Sequence, residues 1–107
     1  ILKSPHTKQK PRVSIDQIIE QVADYYKIPV NNLRERNRRK EVAHARQVAM
    51  YIAKSITDHS LKTIGLNFGG RDHSTVIHAV SHIEETKKRD EGIVRDINYI
   101  ISCVENQ

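Results

Sequence analysis

Residues 60–76 read SLKTIGLNFGGRDHSTV and hold two predicted helix starts on either side of a glycine pair. Ser60 is a suitable N-cap for a short helix, and the glycines at 69–70 end that helix because glycine adopts positive φ angles at little cost. Asp72 is the N-cap of a second helix, which we predict to extend to Lys87. The apolar residues that we expect to be buried on these two helices are Leu61, Ile64, Phe68, Val76, Ile77, Val80 and Ile83. Two short helices across a tight turn are typical of a helix-turn-helix.

The remaining segments also carry helical patterns. A capping box at 14–17 begins a helix that Pro29 ends, a short helix is predicted at 30–34, a long one at 42–56, and a last one after Gly92. The apolar residues at helical spacing in these segments are Ile15, Ile18, Ile19, Val22, Tyr26, Val30, Leu33, Val42, Ala45, Val48, Ala49, Ile52, Ala53, Ile56, Ile93, Ile97, Ile100, Ile101 and Val104. No segment alternates with the period of two that a strand requires. The sequence therefore predicts an all-α fold, a compact bundle of about six helices that contains the helix-turn-helix.

The chain of 107 residues is long enough for one small domain. We expect residues 1–12 to be a linker or tail from a preceding domain and residues 13–107 to be the folded domain. The chain begins with Ile1 rather than Met, which suggests a piece of a longer protein. Cys103 is the single cysteine, so no intrachain disulfide or cysteine-based metal site is expected.

Positive charge is concentrated in the middle of the chain. The net charge is +5, and residues 34–75 hold nine Lys and Arg against four Asp and Glu. Residues 34–40, the basic segment, read RERNRRK and contain no apolar residue. A one-sided positive field indicates a polyanionic partner, and a flexible Arg can enter a narrow minor groove.

The start of the second predicted helix carries side chains that can contact base edges. Ser74, His78 and His82 lie opposite Val80 on the helical wheel, and the first turn also exposes two more polar residues, His73 and Thr75. In a helix-turn-helix this end of the second helix meets the bases. Asp72 can cap its own helix and also accept a hydrogen bond from a cytosine amino group.

Three stretches carry a resemblance to a known family: IGLNFGGRDHSTVIHA at 64–79, VAHARQVAM at 42–50 and DHSL at 58–61. Together they closely resemble the C-terminal DNA-binding domain of the DnaA family of bacterial chromosomal replication initiators. The likeness extends over roughly residues 13–105.

The resemblance implies a non-enzymatic domain of six helices that binds double-stranded DNA at short, asymmetric initiator boxes of the replication origin. It implies that the isolated domain is a monomer, that the full-length protein self-assembles on DNA, and that both are cytoplasmic and associated with the nucleoid. ATP or ADP and Mg²⁺ are expected only on a domain upstream of Ile1, since this sequence has no glycine-rich loop ending in Gly-Lys-Ser/Thr.

The resemblance also assigns roles to individual residues. The residues implied to contact bases are Arg38 in the minor groove and Asp72, His73, Ser74 and Thr75 in the major groove. The residues implied to bind phosphates are Arg46, Gln47, Lys54 and Leu61, the last through its backbone amide, and to these we add Lys62 and Arg71. Two positions depart from the family pattern: Ser74 replaces the usual Thr and loses a methyl group, and Lys62 replaces a frequent Pro.

Other functions are weighed against DNA binding. His78, His82 and Glu85 are spaced for zinc, but Ala79 stands where the metalloprotease motif needs its Glu. An interaction module that uses the last helix, or a dimeric transcription repressor of helix-turn-helix design, remains an alternative. A mobility shift with specific and scrambled duplexes separates the first of these from DNA binding, and sedimentation separates the second.

Overall fold

The computed structural model describes residues 13–35 and 38–106, and these ranges contain six helices and no strand. The helices are α1 (Ile15–Tyr26), α2 (Val30–Arg34), α3 (Lys40–Ile56), α4 (Leu61–Leu66), α5 (His73–Lys87) and α6 (Glu91–Glu105). The predicted all-α fold is confirmed. The predicted linker at 1–12, and Arg36 and Asn37 of the basic segment, lie outside the described residues.

Helix α3 is the centre of the fold and contacts all five other helices of the described ranges. Its buried residues are Val42, Ala45, Arg46, Val48, Ala49, Met50, Tyr51, Ile52 and Ala53. Alanines at positions 45, 49 and 53 lie four residues apart on one stripe, where small side chains allow neighbouring helices to approach closely. None of the helices in the described ranges is both long enough and apolar enough to cross a membrane.

The capping box at the start of α1 is confirmed. The Gln17 amide donates to the Ser14 hydroxyl over 3.1 Å, and the Ser14 amide donates to Oε1 of Gln17 over 2.9 Å. The predicted end of this helix is too late, since α1 ends at Tyr26. Lys27 adopts a left-handed conformation with φ of 58° and closes the helix, and Pro29 instead begins α2 as its N-cap.

The buried stripe of α5 differs from the predicted one at Ile77. Val76 and Ile83 are buried as predicted, Val80 is half-buried, and Ala79 rather than Ile77 completes the stripe. Each residue of an α-helix turns by about 100°, so Ile77 lies about 120° from the middle of the stripe. Its side chain is 41% exposed.

A half-buried histidine, His44, lies where α3 meets α1. Nε2 of His44 lies 3.5 Å from the Tyr26 hydroxyl, and the two rings pack edge to face. Burial lowers the pKa of His44 from its usual 6.5, with a smaller contribution from His82, against the opposing effect of Asp96 and Asp90. The folded chain therefore holds a proton at His44 less readily than the unfolded chain does.

This difference predicts that the free energy of unfolding falls as the pH drops below about 6.5, because the unfolded state then binds more protons. Urea denaturation between pH 7.5 and 5 measures the effect. His44→Gln should flatten the dependence on pH in this window, whereas His59→Gln, at an exposed position, should leave it unchanged. An equal slope for the His44 variant and the parent chain would contradict the assignment.

Candidate nucleic-acid interface

The two helices α4 and α5 and the turn between them form a helix-turn-helix. Ser60 caps α4 by accepting a hydrogen bond from the Thr63 amide over 3.1 Å, and the amides of Phe68 and Arg71 both donate to the carbonyl of Gly65 over 3.0 Å. A Cβ atom on Gly65 would lie 2.1 Å from the Arg71 carbonyl oxygen, so only glycine fits between the helix and the turn. The buried Phe68 side chain fixes the turn to the core.

Asp72 caps α5 through a single carboxylate oxygen. Oδ1 accepts from the Thr75 amide at 3.1 Å, from the Ser74 hydroxyl at 3.0 Å and from the Thr75 hydroxyl at 3.2 Å. The bond from the Thr75 amide, followed by that from the Ser74 hydroxyl, lowers the pKa of Asp72 below its usual value of 3.8. The predicted cap is therefore confirmed, and it gives the tip of α5 a fixed negative charge.

The hydroxyls of Ser74 and Thr75 both donate to Asp72. A hydroxyl that donates to a neighbour keeps its lone pairs as acceptors. His73, Ser74 and Thr75 are exposed, as predicted, and Asp72 is exposed as well. The tip of α5, residues 72–75, consequently presents several hydrogen-bond acceptors to its surroundings.

Ile77 joins this exposed tip. It lies four residues after His73 and three after Ser74, so the three side chains share one face of α5. Sequence reasoning missed it because an isoleucine beside Val76 fits a core stripe equally well. A buried stripe that contains Ala79 in place of Ile77 predicts an exposed Ile77.

A pocket of about 250 Å³ lies between α3 and α5. The residues that line it are Ala43, Arg46, Gln47, Met50, Arg71, Thr75, His78 and Ala79. The structure thus brings together three residues of the predicted phosphate set and one of the predicted base-contacting set. Two of the lining residues are arginines, which makes the pocket cationic.

Arg46 is more deeply placed than the sequence indicates, since its side chain is 7% exposed. Its Nε donates to the Leu33 carbonyl over 3.0 Å, and its Nη2 donates over 2.9 Å to the carbonyls of Asn32 and Glu35. These carbonyls end α2 and need donors from outside the helix. Burial and the nearby Arg71 lower the pKa of Arg46. Arg46 therefore has a structural role, and its phosphate contact stays a prediction.

The end of α2 also touches the turn of the helix-turn-helix. Nη1 of Arg34 donates to the Asn67 carbonyl over 3.0 Å, and Nη2 of Arg71 donates to the Glu35 carbonyl over 3.1 Å. Gly69 has a φ of 85°, and a Cβ atom there would lie 2.2 Å from the Arg34 carbonyl oxygen. The basic segment accordingly begins in direct contact with the turn.

Arg38 is exposed and lies just before α3. It follows Glu35 by three residues, so their Cα atoms are at most about 11 Å apart. The residue predicted to enter the minor groove therefore lies within about 11 Å, Cα to Cα, of Glu35, whose carbonyl contacts the turn.

Three other predicted phosphate residues lie outside the pocket. Lys54 is exposed on α3, two turns beyond Gln47 on the same stripe. Leu61 is half-buried and Lys62 exposed in the first turn of α4. In the described ranges, no group of three or more His, Cys, Asp or Glu side chains is placed to hold a metal ion.

The fold and the site define a helix-turn-helix domain with a cationic flank. Residues 15–83 match the family model described as the bacterial DnaA protein helix-turn-helix. The chain is 51% identical over 80 residues to the chromosomal replication initiator protein DnaA of Chlorobaculum tepidum, a match covering 75% of this chain and 16% of that protein. It also resembles a crystal structure of a DNA replication initiation factor, with a TM-score of 0.76 and 34% identity over 86% of this chain and 28% of that one. The chain belongs to the bacterial DnaA family.

The two turn glycines provide a matched test of the contact between the turn and α2. Gly70 has a φ of 75° with open space around it, whereas Gly69 combines a positive φ with the close approach of Arg34. We expect Gly70→Ala to lower the free energy of unfolding by about 1 kcal/mol from backbone strain alone, and Gly69→Ala by about 3 kcal/mol or more. Urea denaturation measures both values. Equal losses of unfolding free energy for the two variants would show that the close approach of Gly69 to Arg34 does not contribute to stability.

Proposed function

We propose that this domain binds double-stranded DNA sequence-specifically at initiator boxes of the bacterial replication origin. The tip of α5 enters the major groove, and Arg38 enters the adjacent minor groove. The contact between the turn and the end of α2 supports this proposal, because Arg71, directly before the tip of α5, binds the carbonyl of Glu35, three residues before the exposed Arg38. Membership of the DnaA family supports it.

The acceptors at the tip favour particular bases. The major groove exposes the amino groups of adenine and cytosine as donors, and these match the carboxylate of Asp72 and the lone pairs of Ser74 and Thr75. His73 offers a ring nitrogen whose role depends on its tautomer.

Ile77 adds an apolar contact that the serine at position 74 cannot make. The family's usual Thr carries a methyl group that can meet the C5 methyl of thymine, and Ser74 lacks it. The exposed Ile77 lies three residues further along the same face. We propose that it contacts a thymine methyl deeper in the groove.

The phosphate contacts hold the domain without reading sequence. We propose that Gln47, Lys54 and Lys62 supply side chains and that Leu61 supplies its amide. Arg46 and Arg71 contribute through the cationic pocket. Four of these six residues are Lys or Arg, so with about four phosphates neutralised the logarithm of the binding constant should fall with the logarithm of salt concentration with a slope of roughly −4.

Selection of bound duplexes from a random pool, followed by salt titration, tests the proposal. We expect one short asymmetric sequence to emerge and to bind more tightly than its scrambled version. Binding that ignores sequence, or that is unchanged from low to moderate salt, would contradict the proposal.

Arg38 and Lys54 have different proposed roles. Arg38→Ala should weaken binding by about 1–3 kcal/mol and relax the preference at its own base pair. Lys54→Ala should weaken all duplexes about equally and reduce the salt slope by about one. Competition binding against a panel of single-substitution duplexes measures both. Identical profiles for the two variants would refute the division into base and phosphate contacts.

Asp72→Asn separates capping from base contact. Asparagine caps helices about as well as aspartate, so the melting temperature should stay close to that of the parent chain. Its amide also donates hydrogen bonds, so the preferred base opposite this position should change. Selection from the random pool with each variant gives the answer. An unchanged preferred sequence would confine Asp72 to capping.

We further propose that the isolated chain acts as a monomer and carries out no catalysis. A monomer fits an asymmetric box, whereas a dimeric repressor would match a palindrome. Nucleotide and Mg²⁺ binding, and self-assembly on DNA, belong to the full-length protein in the cytoplasm. Sedimentation of the free chain and of its complex with one duplex tests the monomer.

A further inference from the structure

The carbonyl oxygen of Glu35 accepts hydrogen bonds from two guanidinium groups. One comes from Arg46 of α3, over 2.9 Å, and the other from Arg71 of the helix-turn-helix turn, over 3.1 Å. A carbonyl oxygen has two lone pairs, so two donors occupy it fully. This single atom therefore joins the central helix, the turn and the first residues of the basic segment.

The two arginines differ in what they hold. Arg46 is buried and also binds two other carbonyls at the end of α2, so it ties that end to the core of the domain. Arg71 is half-exposed and lies directly before Asp72, the cap of α5. Its bond to Glu35 consequently links the start of α5 to the start of the basic segment.

We infer that Arg71 is a positioning residue for recognition in the minor groove. Its bond to the Glu35 carbonyl fixes Glu35, three residues before Arg38, relative to the tip of α5. The inference rests on the proposed function, in which these two parts enter adjacent grooves of one duplex. Since the major and minor grooves differ in width and have fixed positions along the duplex, the two parts need a fixed relative placement.

This role differs measurably from that of a phosphate contact. Loss of a phosphate contact weakens binding to all sequences about equally. Loss of positioning weakens the preference at the base pair that Arg38 contacts and leaves major-groove preferences in place. Arg71→Lys separates the two roles because lysine keeps the positive charge but lacks the planar group that reaches the Glu35 carbonyl.

The experiment measures Kd for two duplexes that carry A·T or G·C at the pair where Arg38→Ala relaxes preference. The proteins are the 107-residue chain and its Arg71→Lys, Arg38→Ala and doubly substituted forms. Arg89→Lys, at an exposed position between α5 and α6, is the matched control. A third duplex is substituted at a base pair that α5 contacts. Each variant that still discriminates against this duplex has kept its fold. Arg71→Gln is measured in parallel so that the comparison does not depend on one substitution.

We expect Arg71→Lys to reduce the ratio of the two Kd values by at least about fivefold. In the Arg38→Ala background the same substitution should change that ratio by less than about twofold, because there is no minor-groove contact left to position. Arg89→Lys should change neither Kd, and discrimination by α5 should be retained in all variants.

Two results would overturn the inference. Equal weakening of both duplexes by Arg71→Lys and Arg71→Gln would make Arg71 a phosphate contact only, and no effect of either would remove it from recognition. In both cases the parent chain still discriminates between the duplexes, so the proposed function stands. A parent chain without any preference at this pair would remove the minor-groove contact and the inference together.

Discussion

The proposed recognition surface depends on the carbonyl groups at the end of α2. A helix as short as α2 cannot stabilise itself, and its last carbonyls have no partners within the helix. Arg46 reaches them from the central helix, and Arg71 reaches the Glu35 carbonyl from the turn. Hydrogen bonds from a charged donor contribute about 1.5–3 kcal/mol each. These hydrogen bonds therefore stabilise the end of α2, where the basic segment begins.

The same contacts hold the turn and the end of α2 in a fixed relative position. The turn cannot move away from α2 without breaking the bonds of Arg34 and Arg71, and it cannot move closer because Gly69 already touches the Arg34 carbonyl. Asp72 then fixes the first turn of α5 by three hydrogen bonds to one oxygen. Through these contacts the core therefore fixes the position of the tip of α5.

Local signals in the sequence predicted most of the fold. Ser14, Ser60 and Asp72 cap the helices they were expected to cap, because N-capping depends on residues at most three positions away. Ile77 was misplaced, since the choice between it and Ala79 depends on which face of α5 meets α3. The end of α1 at Tyr26 was missed because the left-handed Lys27 that caps it has no sequence signature comparable to glycine.

Less of the candidate site than of the fold could be predicted from the sequence. Composition and the glycine pair indicated a helix-turn-helix beside a basic segment, and the family resemblance supplied individual residues. The structural role of Arg46 could not be predicted, because its partners are backbone carbonyls 11 to 14 residues away and carry no side-chain signature. In a basic sequence, nothing separates an arginine that also binds backbone carbonyls from one that binds phosphates alone.

The most direct measurement is a crystal structure of the chain bound to a duplex selected from the random pool. We expect the tip of α5 in the major groove, the Arg38 guanidinium in the adjacent minor groove, and Arg71 still within hydrogen-bond distance of the Glu35 carbonyl. Arg38 in solvent, or Arg71 detached from Glu35 while Arg38 occupies the minor groove, would contradict the dependence of recognition on that contact.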